Sequence, residues 1–373
     1  MDIIQQTNTP ALISHPSDSA LVSVPAKLGG LDGHKGGLSF TAQDFRLFNF
    51  FVESAYPHHP VDNDSTWTHE IPAIAHQFPF LLHAMLALSA SELANSPSAS
   101  SSEMRVVAMN HRVKSIEDLR RAVDKGLSSV EEANAMIATC FSLLFQSTLI
   151  HDGLSEYMSF IRGTVAIGIQ MYIRNFRTFF ANLYGDGAVL AMNDALLSTP
   201  LLDPQIVTSA IRSLERLSPI CRPGSVEIEM LGLLSNMARS LVTSSRDAYM
   251  ELRKIYAHLS YAMPYPQFQA FTDPENEVGQ ILQAHFVALQ LVMTPIAEVE
   301  YLSPVKREMV RKERERERRG DQQGKEGRWL VSIHERMRGR RDRARLGNGE
   351  FVWESFYSWT MWVEGEFSNR GGI

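Results

Sequence analysis

Apolar positions along this chain recur at helical intervals, and nowhere does the two-residue alternation of a half-buried strand persist. The aromatic-rich DFRLFNFFVESA, from Asp44 to Ala55, predicts a first packed helix, followed by a polar turn, YPHHPVDNDSTW. Residues 79–94, PFLLHAMLALSASELA, start with proline at a first-turn position and are apolar almost all round, so they predict a helix central to a bundle. Val106, Met109, Val113, Ile116, Arg120 and Val123 recur at steps of three and four, which predicts an amphipathic helix over 103–124 with this stripe packed and the other face charged. Residues 132–150 and 156–173 predict two more apolar helices, and 204–217, 225–243, 246–261 and 276–298 four further ones. The expected fold class is all-α, a large multi-helix domain.

Residues 1–40 mix Ser, Pro, Thr and Gly without a period that buries a face, which predicts a flexible leader. The glycines at 30, 33 and 36 follow no apolar strand and precede no Gly-Lys-Ser/Thr, so they predict a linker rather than a phosphate cradle. The charge changes after position 300. Residues 305–345 hold sixteen Lys or Arg and eight Asp or Glu, a balance of +8 within a chain of net charge -6. In KREMVRKERERERR, 306–319, opposite charges fall one helical turn apart, as on a solvated helix. HERMRGRRDRAR, 334–345, also matches a nuclear-import or polyanion-binding patch. The aromatic FVWESFYSWTMW, 351–362, predicts a closing helix that docks on the core. The expected organisation is therefore a leader at 1–40, a helical domain at 41–300, a charged helix/loop insertion at 301–349, and a docking helix with its tail at 350–373.

Over 373 residues, an apolar share of 44% and a charged share of 21% are those of an ordinary folded, water-soluble protein. A sequence pI near 6.1 offers no global attraction to phosphate backbones or anionic membranes. The start, MDIIQQTNTPALISH, lacks a basic flank and a long apolar stretch, so a secretory signal is not expected. The apolar run at 279–297 is interrupted by Gln280, Gln283, His285 and Gln290, so no membrane span is expected. Cys140 and Cys221 stand among apolar neighbours, as in a reduced intracellular protein.

The densest set of potential ligands is His58, His59, Asp62, Asp64, His69, Glu70 and His76, in or beside one polar loop. H-E-x-x-H is absent, because Ile71, Pro72 and Ala73 follow His69-Glu70, and a surface turn is the expected account. No nucleophile elbow, Walker lysine, dinucleotide fingerprint or kinase signature is present. No catalytic residue, cofactor or metal is assigned, and a non-enzymatic protein is the favoured reading. If a helical cavity served catalysis, His83, Glu92 and His285 would be the candidate acid–base groups. The 16 Met and 19 Phe are ordinary core residues first, though Met repacks readily around an apolar guest.

The run W-T-H-E-I-P-A-I-A-H-Q-F-P-F-L-L-H-A-M-L-A-L-S-A-S-E-L-A, residues 67–94, resembles the start of the fungal-specific transcription factor domain. Trp67, Pro72, Ala75, Pro79, Phe80, Leu81, Leu82 and the 87–90 stretch Ala-Leu-Ser-Ala carry the likeness. Ala108 and His111 with Ile116 and Leu119, the 141–145 stretch, Arg162-Gly163 and HFVALQ at 285–290 follow in the family's order. Trp329 and Trp359 sit where tryptophans fall in relatives of the sterol uptake control regulators. The resemblance implies an all-helical regulatory domain, and in that family such a domain usually follows an N-terminal zinc cluster of six cysteines. Two cysteines, neither in a C-x-x-C pair, cannot build that cluster, so direct sequence-specific DNA binding is not expected. Protein partners or a homodimer, a hydrophobic small-molecule ligand, and a nuclear location (cytoplasm as the alternative) are what the likeness implies. A helical scaffold acting as an enzyme or carrier on an apolar metabolite is the other reading.

Overall fold

The computed structural model describes residues 40–58, 63–95, 101–181, 187–301, 324–346 and 354–369, with positions 306, 308, 309 and 312 between them. Apart from Phe40, the leader lies outside the described residues, as do most of 306–319 and the glycines at 30, 33 and 36. Among the described residues the fold is all-α, with no strand.

Local chemistry starts these helices. Thr41 caps α1 (Ala42–Phe50) through a reciprocal box in which its hydroxyl accepts from the Asp44 N–H and the Asp44 carboxylate accepts from the Thr41 N–H. One π-type turn, Phe51–Ala55, extends α1, and another, Thr66–Glu70, leads into α2 (Ile71–Ala75). Next come α3 (Pro79–Asn95), α4 (Ser101–Lys125), α5 (Val130–Thr148) and α6 (Leu154–Ile173). The α5 cap is the Ser129 hydroxyl, which accepts from the Glu132 N–H. After α7 (Gly187–Ser198), α8 (Pro204–Glu215) opens with Asp203 at the cap and proline at the first turn. The chain continues through α9 (Val226–Thr243), α10 (Ser245–Ala257), α11 (Tyr265–Thr272), α12 (Glu277–Val292) and the short α13 (Thr294–Ala297). Last are α14 (Lys325–Leu346) and α15 (Glu354–Asn369). The expected single helix over 276–298 breaks at Met293, ahead of Pro295, whose ring cannot sit in an uninterrupted helix interior.

Two cores adjoin. In the first, Trp67 is fully buried within a ring of aromatics, with Phe51, Phe141 and Phe180 at centroid distances of 6.1, 6.4 and 5.2 Å. Every residue of α3 from Phe80 to Ser91 is buried, as its all-round apolar pattern predicts. The second core gathers α8 to α12 with α14 and α15, where Trp329, Leu330, Ile333, Met337, Tyr357, Trp359 and Val363 are all buried. Helix α6 serves both, giving Leu154 and Met158 to the second and Ile167 and Met171 to the first. Between those pairs, Arg162 donates to the carbonyls of Leu259 (3.0 Å) and Met263 (2.7 Å) beyond α10 and lies over the rings of Tyr265 and Phe268.

The expectation for α4 is corrected on its face. Val106, Met109, Val113 and Val123 are 61, 46, 51 and 47% exposed, whereas the buried side is Ala108, His111, Arg112, Ser115, Leu119 and Ala122. The physical reason is the neighbour. α3 approaches closely over the small residues Ala108 and Ser115, and the polar groups on that side find buried partners, such as the Ser115 hydroxyl donating to the Phe80 carbonyl at 2.7 Å.

Between α5 and α6 the chain turns so tightly that a Cβ on Gly153 would fall inside the contact radius of the Ser147 carbonyl. Gly153→Ala is expected to cost about 1–3 kcal/mol, since the backbone must shift to admit the methyl. A urea midpoint equal to that of the parent chain would contradict this.

Among the described residues no single helix is long and apolar enough to cross a membrane. The pair Glu277–Val292 and Thr294–Glu300 passes on length and composition only together and bends by 64° at its break.

Candidate functional site

The most developed polar arrangement is a buried chain of three side chains where α1, α3 and α4 meet. Asp44, fixed by the α1 cap, accepts through Oδ1 from His111 Nε2 at 3.1 Å, and His111 Nδ1 lies 2.9 Å from His83 Nδ1. A carboxylate only accepts, so His111 carries its proton on Nε2, and its Nδ1 accepts from the His83 Nδ1–H. That leaves the lone pair of His83 on Nε2. Burial pushes His83 down to about 4, and the proximity of His111 and of the Lys114 ammonium adds to it, since a second charge beside them is disfavoured. Burial lowers His111 as well, against the opposing pull of Asp44. Burial also works against ionisation of Asp44, but hydrogen bonds from Thr41 and the nearby His111 outweigh it and hold the carboxyl below its usual range. The triad is therefore a neutral imidazole pair anchored on a carboxylate.

Immediately beside it, Arg112 is 1% exposed and joins α4 to α5 and α6. Its guanidinium donates to Gln146 Oε1 (2.7 Å), Ser147 Oγ (3.0 Å), the Leu143 carbonyl (3.4 Å) and Glu156 Oε2 (2.7 Å), and lies over the Phe160 ring. Gln146 in turn donates to Ser91 Oγ and the Ala87 carbonyl of α3. Four helices thus share one buried polar network, which fixes their register.

The three acid–base candidates do not meet. Glu92 stands exposed on α3, nine residues beyond His83, or about 13 Å along the helix. His285 lies in the second core, where its Nδ1–H donates to the Ile281 carbonyl (2.8 Å), its Nε2 accepts from the Ser213 hydroxyl (2.9 Å), and its ring stacks on Trp359. Burial takes His285 down to about 4. Nearby, His334 bridges Thr360 Oγ1 (2.9 Å) and the Glu364 carboxylate, tying α14 to α15. These contacts consume the histidines in holding helices together.

Of the polar loop, His59 and Asp62 lie outside the described residues. His58 faces the Ser54 carbonyl (3.0 Å), His69 Nδ1 the Thr68 hydroxyl (2.8 Å), and Asp64 pairs with Lys306 (3.0 Å). Among the described residues no three His, Cys, Asp or Glu side chains converge as metal ligands would. Burial raises the Cys140 thiol to about 12 and the Cys221 thiol to about 11, so neither is a ready thiolate. A cleft between α14 and α15, lined by His334, Met337, Tyr357 and Met361 among others, encloses about 30 Å³, space on the scale of a water molecule.

Among the described side chains of the basic run in α14, four arginines have partners within the fold, Arg338 among them with Glu364 at 3.9 Å. Arg336 meets Asp152 and Gln280, Arg340 pairs with Glu275 (3.0 Å) and Glu277 (3.6 Å), and Arg341 pairs with Glu354 (3.1 Å). Sequence reading missed Asp44 and Arg112 as site residues and met His111 only within the family likeness. The seven-residue spacing of Ala108, Ser115 and Ala122 is the signal that would have marked the packed face of α4 and the His111-Arg112 pair on it.

Over 134 residues, 35% of the chain, the sequence is 31% identical to Sterol uptake control protein 2 of Saccharomyces cerevisiae, and the match covers 14% of that protein. The chain thus spans a small fraction of the relative it matches, whose name is that of the regulators resembled above. No protein-family model matches the chain, and no solved structure matches it.

Proposed function

We propose that this chain is a transcription-regulatory protein that works in the nucleus without a base-reading module of its own, through protein partners or a hydrophobic small-molecule effector. The similarity to Sterol uptake control protein 2 carries this reading. The helical body is consistent with it, and so are two buried thiols where a zinc cluster would need six cysteines. Contacts to phosphates position a DNA-binding protein and contacts to bases specify its site. The engagement of Arg336, Arg338, Arg340 and Arg341 with acidic and amide side chains of the same chain supports this reading. Regulation would then pass through a partner that holds the DNA.

The test is a tethered reporter. Fused to a heterologous DNA-reading domain, the chain is expected to change reporter output severalfold, while the unfused chain fails to retard promoter DNA in a mobility assay. An unchanged reporter in the fusion, or tight operator binding by the chain alone, would sink this reading. The second reading, an enzyme or carrier for an apolar metabolite, is favoured by one observation only, the Asp44–His111–His83 chain with its open Nε2. Turnover abolished by His83→Gln would establish it.

A further inference from the structure

Apart from Ile116, which packs against the first core, the apolar stripe of α4 is exposed among the described residues, and its pattern says what kind of partner it fits. Val106, Met109, Val113, Ile116, Arg120 and Val123 follow steps of three, four, three, four and three. That repeat averages 3.5 residues, the seam of a helix paired with another helix. Four of these six are exposed large apolar side chains, Arg120 is exposed, and Ile116 is half-buried. The opposite side of the 25-residue helix is locked to α3 and α5 through Ser115, His111 and Arg112, so the stripe is presented on a rigid support.

Charge selects among partners. Along one edge of the stripe, Glu103, Asn110, Glu117 and Asp124 recur every seven residues, all exposed. Beyond that edge lie the exposed Lys114 and Arg121, the latter 3.0 Å from Asp118 and 3.9 Å from Glu117. The stripe itself holds one cation, Arg120, and the other edge holds Arg105. A second copy fits poorly in either orientation. Antiparallel pairing sets the acidic edge against itself, and parallel pairing sets Arg120 against Arg120. We infer that the outer face of α4 docks an amphipathic helix of a partner protein, with an apolar heptad seam, lysines or arginines facing the Glu103–Asp124 edge, and an acid opposite Arg120. This rests on the reading that the chain acts through protein partners.

The probe is a fluorescent three-heptad synthetic helix, apolar on its seam, with lysine flanks and one glutamate opposite Arg120, titrated against the full chain. Binding is expected, about tenfold weaker for the same peptide with glutamate flanks, and weaker again as salt rises. Val113→Glu is expected to weaken it at least about tenfold. Its urea midpoint should stay near the parent value because Val113 faces solvent, and Met109→Glu serves as a second variant should Val113→Glu misfold. Equal affinity for both peptides, or binding that ignores both substitutions, would overturn the docking surface. So would a chain that sediments as a dimer and becomes monomeric with Val113→Glu, which would give the face to a second copy. A chain that binds the lysine peptide through α4 yet leaves the tethered reporter silent retires the transcriptional reading and keeps the surface.

Discussion

Replacing Glu156 by alanine is expected to destabilise the chain by about 2 kcal/mol, because it strips the counter-ion from a cation that the fold has removed from water, while the half-exposed position of Glu156 lets solvent offset part of the loss. Arg112 would keep its hydrogen bonds to Gln146, Ser147 and the Leu143 carbonyl, but these neutral acceptors do not balance its charge. Burial already works against that charge, lowering Arg112 from the usual guanidinium range despite Glu156. Arg112→Ala is expected to cost about 3–5 kcal/mol, mostly through the space it vacates and the acceptors it abandons. Arg112→Met, which keeps a stem over Phe160, should cost less. The sharper expectation concerns the pair. Adding Arg112→Met to Glu156→Ala should recover much of the loss, since no buried cation then lacks a partner. Urea unfolding with an unchanged m-value measures all four chains. Strictly additive losses would show that the two side chains do not act together.

A comparable loss is expected on acidification. His83 and His285 both lie near 4 in the fold and near 6.5 when unfolded, chiefly because burial disfavours their charged forms. The stability they contribute is fully present above about pH 6.5 and declines as the pH falls towards 4, because the unfolded chain takes up protons that the native chain refuses. Each is expected to account for roughly 3 kcal/mol across that window. His111 and His258 are lowered in the same direction. Denaturation midpoints at steps from pH 7.5 to 4.5 should therefore fall steadily, and His285→Gln should flatten the slope by about one proton. A flat profile, or a slope that His285→Gln leaves unchanged, would mean that these imidazoles are protonated within the fold.

The individual helices were legible because periodicity and caps are local. Residues 79–94 and 132–150 are apolar all round, and such segments have few alternatives to a bundle core. Other elements escaped. α2 and α11 are short, α7 went unread although it is as long as α8, and residues 56–67 read as a polar turn although the π-type turn beginning at Thr66 buries Trp67 completely. The polar network was hardly legible. His83 stood out as a basic group in an apolar helix, but its partner His111 is 28 residues away in sequence and Asp44 lies 67 residues from His111, and nothing local links them.

Helix α4 divides what each level decides. Composition and period by themselves determined that the packed body of the described residues is all-helical, that residues 103–124 form an amphipathic helix, and that two cysteines cannot build a six-cysteine zinc cluster. Only the tertiary structure decided which face of α4 turns inward. Hydrophobic period reports that a helix has two unlike sides, whereas burial is settled by the neighbour. Small residues allowed α3 to approach, Asp44, Gln146, Ser147 and Glu156 satisfied the buried histidine and arginine, and the apolar stripe was left facing out.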